Sequence, residues 1–167
     1  MTTSGMFNQN TKATDVAEVF KAQIQGRVVI ITGCTIDTIG YATAHAIASV
    51  EPGLLVISGR SPEKLNDAAT QLLTDHPLLN VRKLIMDLSS QQSVRKAAKE
   101  VNGYSEDVDV VICNAGVMSY PKHELTEDSI ELTFAANHIS HFLVSHPGAS
   151  PWKSHAYSRP FSLPILS

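Results

Sequence analysis

The sequence predicts an α/β fold, a doubly wound parallel sheet with helices on both faces. Three observations lead there. Four short runs of β-branched and other apolar residues recur along the chain, a segment of helical period follows each of them, and the connections are short. Parallel neighbours need a crossover, and each crossover helix covers one face of the sheet.

The elements follow in order. Residues 1–25 form a polar N-terminus and one short helix. Asp15 and Glu18 have the spacing of a capping box, with Val16, Val19, Phe20 and Ala22 as the apolar side and Gly26 as the stop. Val28 to Ile31 is a strand buried on both faces. Gly40 opens a helix whose packing side is Ala42, Ala44, Ala46, Ile47 and Val50, and Glu51-Pro52-Gly53 ends it. Leu54 to Ile57 is the second strand. Ser61-Pro62-Glu63 then has the form of a helix start, with Ser as N-cap and Glu at the positive end of the dipole. That helix runs to about Thr74, with Leu65, Ala68, Ala69, Leu72 and Leu73 inward. Val81 to Met86 is the third strand and Ser90 to Val101 the third helix. Val108 to Cys113 is the fourth strand, with Cys113 at its buried end. A last helix spans Asp128 to Ser145.

The 167 residues suit one domain, 43% hydrophobic and 17% charged, with net charge −3 and mean hydropathy near zero. No run of like charge favours nucleic acid or anionic lipid. No apolar run is long enough to span a bilayer, and no apolar leader begins the chain. Two cysteines make no disulfide framework. The chain reads as soluble and cytoplasmic.

The first strand runs into Thr32-Gly33-Cys34-Thr35-Ile36-Asp37-Thr38-Ile39-Gly40. A turn from a buried strand into a helix leaves backbone N–H groups and a positive helix end at the carboxyl edge, a geometry that binds phosphate. Gly33 lets the chain turn, and Gly40 lets the helix start approach a pyrophosphate. Neither G-x-G-x-x-G nor a Gly-Lys-Ser/Thr P-loop is present, so the two glycines also fit a plain strand-to-helix turn. The second strand ends in Ser58-Gly59-Arg60, where an acidic residue would hold the ribose 2′-hydroxyl of NAD. No Asp or Glu lies between Leu54 and Arg60. Arg60 offers a planar fork of donors suited to a 2′-phosphate, which favours NADP over NAD; the plainer alternative is a solvated arginine at a strand end. Asp87 either accepts from an adenine amino group or caps the next helix.

Together these residues resemble the short-chain dehydrogenase/reductase family over roughly residues 15 to 145. Thr32-Gly33 through Gly40 is similar to the family's T-G-x-x-x-G-x-G turn, with one extra residue and the middle glycine lost to Asp37 or Thr38. Asn114-Ala115-Gly116 matches the N-A-G that follows the fourth strand. Phe134 to Leu143 is similar to the helix carrying the active-site Asn, which falls on Asn137. Ser58-Gly59-Arg60 and Met86-Asp87-Leu88 are closest to the retinol dehydrogenase and WW-domain oxidoreductase branch.

The resemblance implies residues 26–145 as an incomplete NAD(P)-binding Rossmann domain. It implies NADP as cofactor, held by Thr32, Gly33, Ile39, Gly40, Arg60, Asp87, Asn114, Ala115 and Gly116. It also implies hydride transfer to or from a carbonyl or alcohol carbon of a small, lipophilic molecule, and the pairing of copies that many members show. In the family a Tyr exchanges the substrate proton, a Lys four residues on lowers its pKa, a Ser polarises the carbonyl and the Asn positions a water. A tyrosine is a poor base near neutral pH until a cation sits beside it.

None of the four tyrosines has Lys at the fourth following position: His45 follows Tyr41, Val108 follows Tyr104, Glu124 follows Tyr120 and Phe161 follows Tyr157. Tyr157 and Lys153 stand in reversed order, and no catalytic serine can be placed. Helical period is lost at Ser145, and half of the prolines, Pro147, Pro151, Pro160 and Pro164, crowd the end of the chain. Residues 146–167 therefore read as an irregular tail. The break suggests a truncated product of an altered frame, a retained intron or an alternative transcript, with the outer edge of strand four uncovered and stability low. The alternative function is an inactive, truncated NADP-binding fragment.

Seven histidines, with His138 and His141 three apart on one helix, lack a completing carboxylate or Cys. They read as surface or packing residues, with no metal site. Cys34 is either a small residue in a tight turn or a thiol activated by the helix start. Met118 and Tyr120 are candidates for a substrate cleft. A methyltransferase sheet also carries a glycine turn after strand one, but Arg60 and Asn114-Ala115-Gly116 count against it.

Overall fold

In a computed structural model of the chain, residues 7–118 and 123–145 are described; Tyr120, His146, Lys153, Tyr157 and the tail from 146 to 167 lie outside them. Four parallel strands, β1 (Val28–Thr32), β2 (Leu54–Gly59), β3 (Val81–Ile85) and β4 (Val110–Ile112), are ordered β3-β2-β1-β4. Val28 of β1 pairs with Leu54 of β2, Val29 with Val110 of β4, and Leu55 with Val81 of β3.

Alternate residues of the central strands enter opposite layers, because successive side chains point to opposite faces. Val28, Ile30, Leu54 and Val56 pack with Val94, Ala97 and Val101 of α5 (Gln91–Asn102) and with Leu143 and Val144 of α7 (Ser140–Ser145). Val29, Ile31, Leu55 and Ile57 pack with Ala44, Ile47 and Ala48 of α3 (Ile39–Ala48) and with Leu65, Ala68 and Leu72 of α4 (Pro62–Asp75). This is the expected sheet covered on both faces. Ser61 caps α4, accepting from Lys64 N–H at 3.3 Å, and Ser90 caps α5, accepting from Ser93 N–H at 3.3 Å.

The structure corrects several boundaries. The N-terminal helix breaks at Phe20 into α1 (Ala13–Val19) and α2 (Lys21–Ile24). Asp15 is not its N-cap: it sits inside α1 and accepts from Lys12 N–H at 3.4 Å. The face of α1 that packs is Ala17, which joins Ala46 and Val50, whereas Val19 and Ala22 are exposed. Ala42 and Leu73 also face outward, while Ala44, Ile47, Leu65 and Leu72 take the side against the sheet.

Strand β4 is shorter than the predicted run: its ladder with β1 starts at Val110, and Asp109 just before it is tied to the start of β1, its N–H donating to Val28 O at 3.0 Å. The Asp109 carboxylate accepts from Val28 N–H at 2.9 Å and pairs with Arg27 at 2.8 Å. Cys113 is exposed, past the strand end. Asp128 does not start the last helix. It accepts from Gln91 N–H at 2.9 Å and so serves the head of α5. Glu131 is the actual cap of α6 (Leu132–Phe134), accepting from Thr133 and Phe134 N–H at 2.9 and 2.7 Å. A π-helical turn, Ala135–Ile139, then joins α6 to α7.

Among the described residues no helix is long and apolar enough to cross a membrane, and no group of His, Cys, Asp and Glu could hold a metal ion.

The segment leading into β4 is clipped to β3 by a two-pronged ion pair. Arg82 Nη1 and Nη2 lie 3.0 and 2.5 Å from the Glu106 carboxylate oxygens, and the guanidinium rests 4.7 Å over the Tyr104 ring. Hydrogen bonding from Arg82 holds the Glu106 carboxyl down at about 2, from an ordinary 4.5. A carboxyl depressed in the folded state stabilises fully above its unfolded value and loses that contribution as pH falls through the folded value. Glu106→Gln is therefore expected to lower the urea midpoint near neutral pH, with the difference shrinking below about pH 4.5 and gone near pH 2. A difference that stayed constant across that window would remove the ion pair as its cause.

Candidate functional site at the carboxyl edge of the sheet

All four strands are parallel, so their carboxyl ends share one edge, and the order reverses between β1 and β4. That reversal opens the crevice in which open α/β sheets hold ligands. The turn after β1 is built first. Gly33 and Cys34 N–H donate to Ser58 O of β2 at 2.8 and 3.0 Å. Those two groups therefore tie the turn to the sheet and are not free for a phosphate, in contrast to the simplest reading of the sequence.

Thr38 caps α3, its hydroxyl accepting from Tyr41 N–H at 3.2 Å and donating to Thr35 O at 2.6 Å. Ile39 and Gly40 form the first turn of this ten-residue helix, and their N–H groups have no acceptor among the described residues. Ile39 is 80% exposed. Asp37 carries φ 65, so it, rather than Thr38, takes the left-handed conformation that a glycine would adopt without strain.

Gly33 and Gly40 answer to a nearer constraint than a ligand. A Cβ on Gly33, whose φ is +76, would meet Ala115 Cα at 2.9 Å. One on Gly40 would run into the Gly33 carbonyl and the Asn114 side-chain amide. The two glycines thus let the turn after β1 nest against the turn after β4.

Thr32 joins those turns. Its hydroxyl oxygen accepts from Asn114 N–H at 3.0 Å and Ala115 N–H at 2.9 Å, while Asn114 Nδ2 donates to Thr32 O at 2.9 Å. Asn137 grips Val117, two residues past Ala115, in both directions: its Oδ1 accepts from Val117 N–H and its Nδ2 donates to Val117 O, each at 2.8 Å. A Cβ on Gly116 would lie 3.3 Å from Asn137 Oδ1. Asn137 falls within the π-helical turn, a feature frequent at functional sites.

Arg60 directly follows β2, exposed and without an ion pair among the described residues. Asp87 follows β3 and does not cap α5 itself. Its Oδ1 accepts from Ser89 N–H at 2.9 Å and Ser89 Oγ at 2.6 Å, just ahead of the Ser90 cap.

Cys34 is no activated thiol. It is fully buried, and burial pushes it up to about 12. His138 stacks on Phe134 at the surface. His141 is buried against Thr32 and burial lowers its pKa.

A sequence profile described as short chain dehydrogenase matches residues 27–157. The chain belongs to the short chain dehydrogenase family. It is 38% identical over 140 residues to oxidoreductase fscI of Fusarium equiseti, covering 84% of this chain and 54% of that protein. It is 36% identical over 147 residues to human retinol dehydrogenase 13, covering 88% of this chain and 44% of that one. The retinol dehydrogenase-like branch read from the sequence is thus supported. The chain spans about half the length of these curated relatives. A structure of L-sorbose reductase from Gluconobacter frateurii, complexed with NADPH and L-sorbose, superposes with a TM-score of 0.63 at 22% identity. It covers 75% of this chain and 48% of its own, and shows the shared fold.

The sequence pointed to the glycine turn, the Asn-Ala-Gly turn and Asn137 in this family, and missed two partners, Val117 and His141. The spacing of Asn137 and His141, four apart on a helical segment, was the available signal.

Proposed function

We propose that this chain carries the cofactor-binding half of an NADP(H)-dependent oxidoreductase acting on a carbonyl or alcohol carbon of a small lipophilic molecule. The observation that carries the reading is the pair of N–H groups at Ile39 and Gly40 without an acceptor among the described residues, at the same edge of the sheet as Arg60, which has no ion pair among them. The N–H groups at the head of α3 donate to a diphosphate, reinforced by the helix dipole. The Arg60 guanidinium pairs with a 2′-phosphate. Asp87, with Oδ1 committed to Ser89, offers its second oxygen to an adenine amino group. A bound nicotinamide supplies or takes the hydride. Asn137 and Thr32 hold the wall beside it by fixing residues 114–117. The exposed side chains of Ile39 and of Met118, which is 88% exposed, give that wall an apolar rim. That rim, and the similarity to a protein named for retinol, support a lipophilic substrate.

A second reading is favoured by the absence of any Tyr-x-x-x-Lys in the 167 residues. Residues 1–167 by themselves bind NADP(H) and transfer no hydride, because no tyrosine here has a lysine to lower its pKa. The test is titration with NADPH followed by a panel of aldehydes and ketones. Binding without NADPH oxidation is expected. Turnover overturns the second reading, and absence of binding overturns the first.

Arg60→Ala is expected to weaken NADPH binding roughly 10- to 100-fold, the loss of one or two charge-assisted hydrogen bonds, and to leave NADH binding nearly unchanged. Equal losses for both cofactors would remove Arg60 from the 2′-phosphate.

A further inference from the structure

Thr32 Oγ1 has one proton and two lone pairs. Both lone pairs face backbone donors, Ala115 N–H at 2.9 Å and Asn114 N–H at 3.0 Å, the latter shared with Ile112 O. His141 Nε2 lies 3.0 Å from the same oxygen. A protonated Nε2 would need a third lone pair on Thr32, so Nε2 is bare and accepts the hydroxyl proton. The other acceptor in reach, Ile112 O, is more distant at 3.4 Å and already accepts from Asn114 N–H at 3.0 Å. With Nε2 bare, the ring proton sits on Nδ1, which lies 3.3 Å from Asn137 O and donates to it. Both ring nitrogens are thereby satisfied in a side chain only 7% exposed.

The bonds close a circuit. Thr32 holds Asn114 and Ala115, the chain continues to Val117, Val117 is gripped by the Asn137 amide, Asn137 O is held by His141 Nδ1, and His141 Nε2 returns to Thr32. Every other link is a backbone group, the Asn137 amide, whose sense the Val117 N–H and C=O fix, or the Thr32 hydroxyl, whose proton turns away from the backbone N–H groups it accepts from. His141 alone can take either tautomer, and only one of them closes the circuit. The Asn137 carbonyl lies in the π-helical turn, where the α-helical ladder is interrupted.

We propose that His141 is a positioning residue: as the neutral Nδ1–H tautomer it locks Asn137 and the 114–117 turn onto the last residue of β1, and so sets the wall of the cofactor crevice. Its consequence for NADP(H) rests on the function proposed above, whereas the tautomer and the lock do not.

The first test is long-range proton–nitrogen NMR of the imidazole in the unliganded full chain near neutral pH. Protonated Nδ1 with bare Nε2 is expected; an Nε2–H tautomer or an imidazolium overturns the proposal. The second compares His141→Gln, whose amide oxygen can accept from Thr32, with His141→Leu, which fills the volume without an acceptor. Leu is expected to speed Ala115 amide exchange and weaken NADPH binding by about tenfold, the size of one lost buried hydrogen bond, with Gln restoring most of both. Equal effects of Leu and Gln, or none from Leu, overturn it. If His141→Leu does not fold, the tautomer in the wild-type chain and the Ala115 exchange of His141→Gln still decide. If the wild-type chain binds no NADPH, the functional reading fails, while the tautomer and the exchange rates judge His141 separately.

Discussion

Gly40→Val is expected to abolish NADPH binding and to lower stability by roughly 3 kcal/mol, the upper range for overpacking a site that cannot yield. The neighbours of the added Cβ are the Gly33 carbonyl and the Asn114 side-chain amide, not the free end of a flexible side chain. Asn114 Nδ2 is committed to Thr32 O, and Gly33 N–H to Ser58 O, so neither can retreat without opening the sheet edge. The head of α3 would have to move instead, carrying the N–H groups of Ile39 and Gly40 away from the crevice. Urea unfolding and NADPH titration on the same sample check both halves. An unchanged urea midpoint would show that α3 slides freely, and the account of nested turns would then be wrong.

Thr32→Val should be the second most damaging change, about 2–4 kcal/mol, because it removes the acceptor of the Ala115 N–H, one of two acceptors of the Asn114 N–H and the donor to His141 Nε2. Thr32 is 1% exposed, so water does not replace the lost partners. Valine fills nearly the same volume, which separates the hydrogen bonds from packing. Thr32→Ser keeps the hydroxyl and is expected to recover most of the loss. A Val variant with the urea midpoint of the Ser variant would mean that the hydroxyl is not the centre of the network.

Much of the architecture is legible from local pattern. The apolar runs at Val28 and Leu54 are strands because parallel strands buried on both faces demand such runs, and the half-buried edge strand at Val81 tolerates Arg82 and Lys83 within it. Ser61 and Ser90 cap α4 and α5 because their side chains satisfy helix-head N–H groups wherever they stand at such a boundary. The last helix was started too early, at Asp128, whose carboxylate instead reaches the head of α5 across the fold. Local pattern also lengthened β4, since nothing local shows that the Asp109 side chain is used to hold Arg27 and Val28 N–H at the start of β1.

The candidate site divides in the same way. Thr32, Gly33, Gly40 and Arg60 could be picked out because a strand-to-helix turn and a strand end are properties of consecutive residues, whereas Asn114 to Gly116 and Asn137 were legible only through the resemblance to the family. Their reasons were not legible. That Gly40 makes room for Asn114, that Asn137 grips Val117 and that His141 closes on Thr32 are contacts across 20 to 109 positions of chain. A histidine on the apolar side of a helix is indistinguishable, in sequence, from one that merely packs. Consecutive residues settle backbone conformation and which side of an element is buried, because those depend on neighbours a few bonds away. Hydrogen-bond partners and proton positions depend on which surfaces the fold brings together, and only the assembled sheet with its helices decides them.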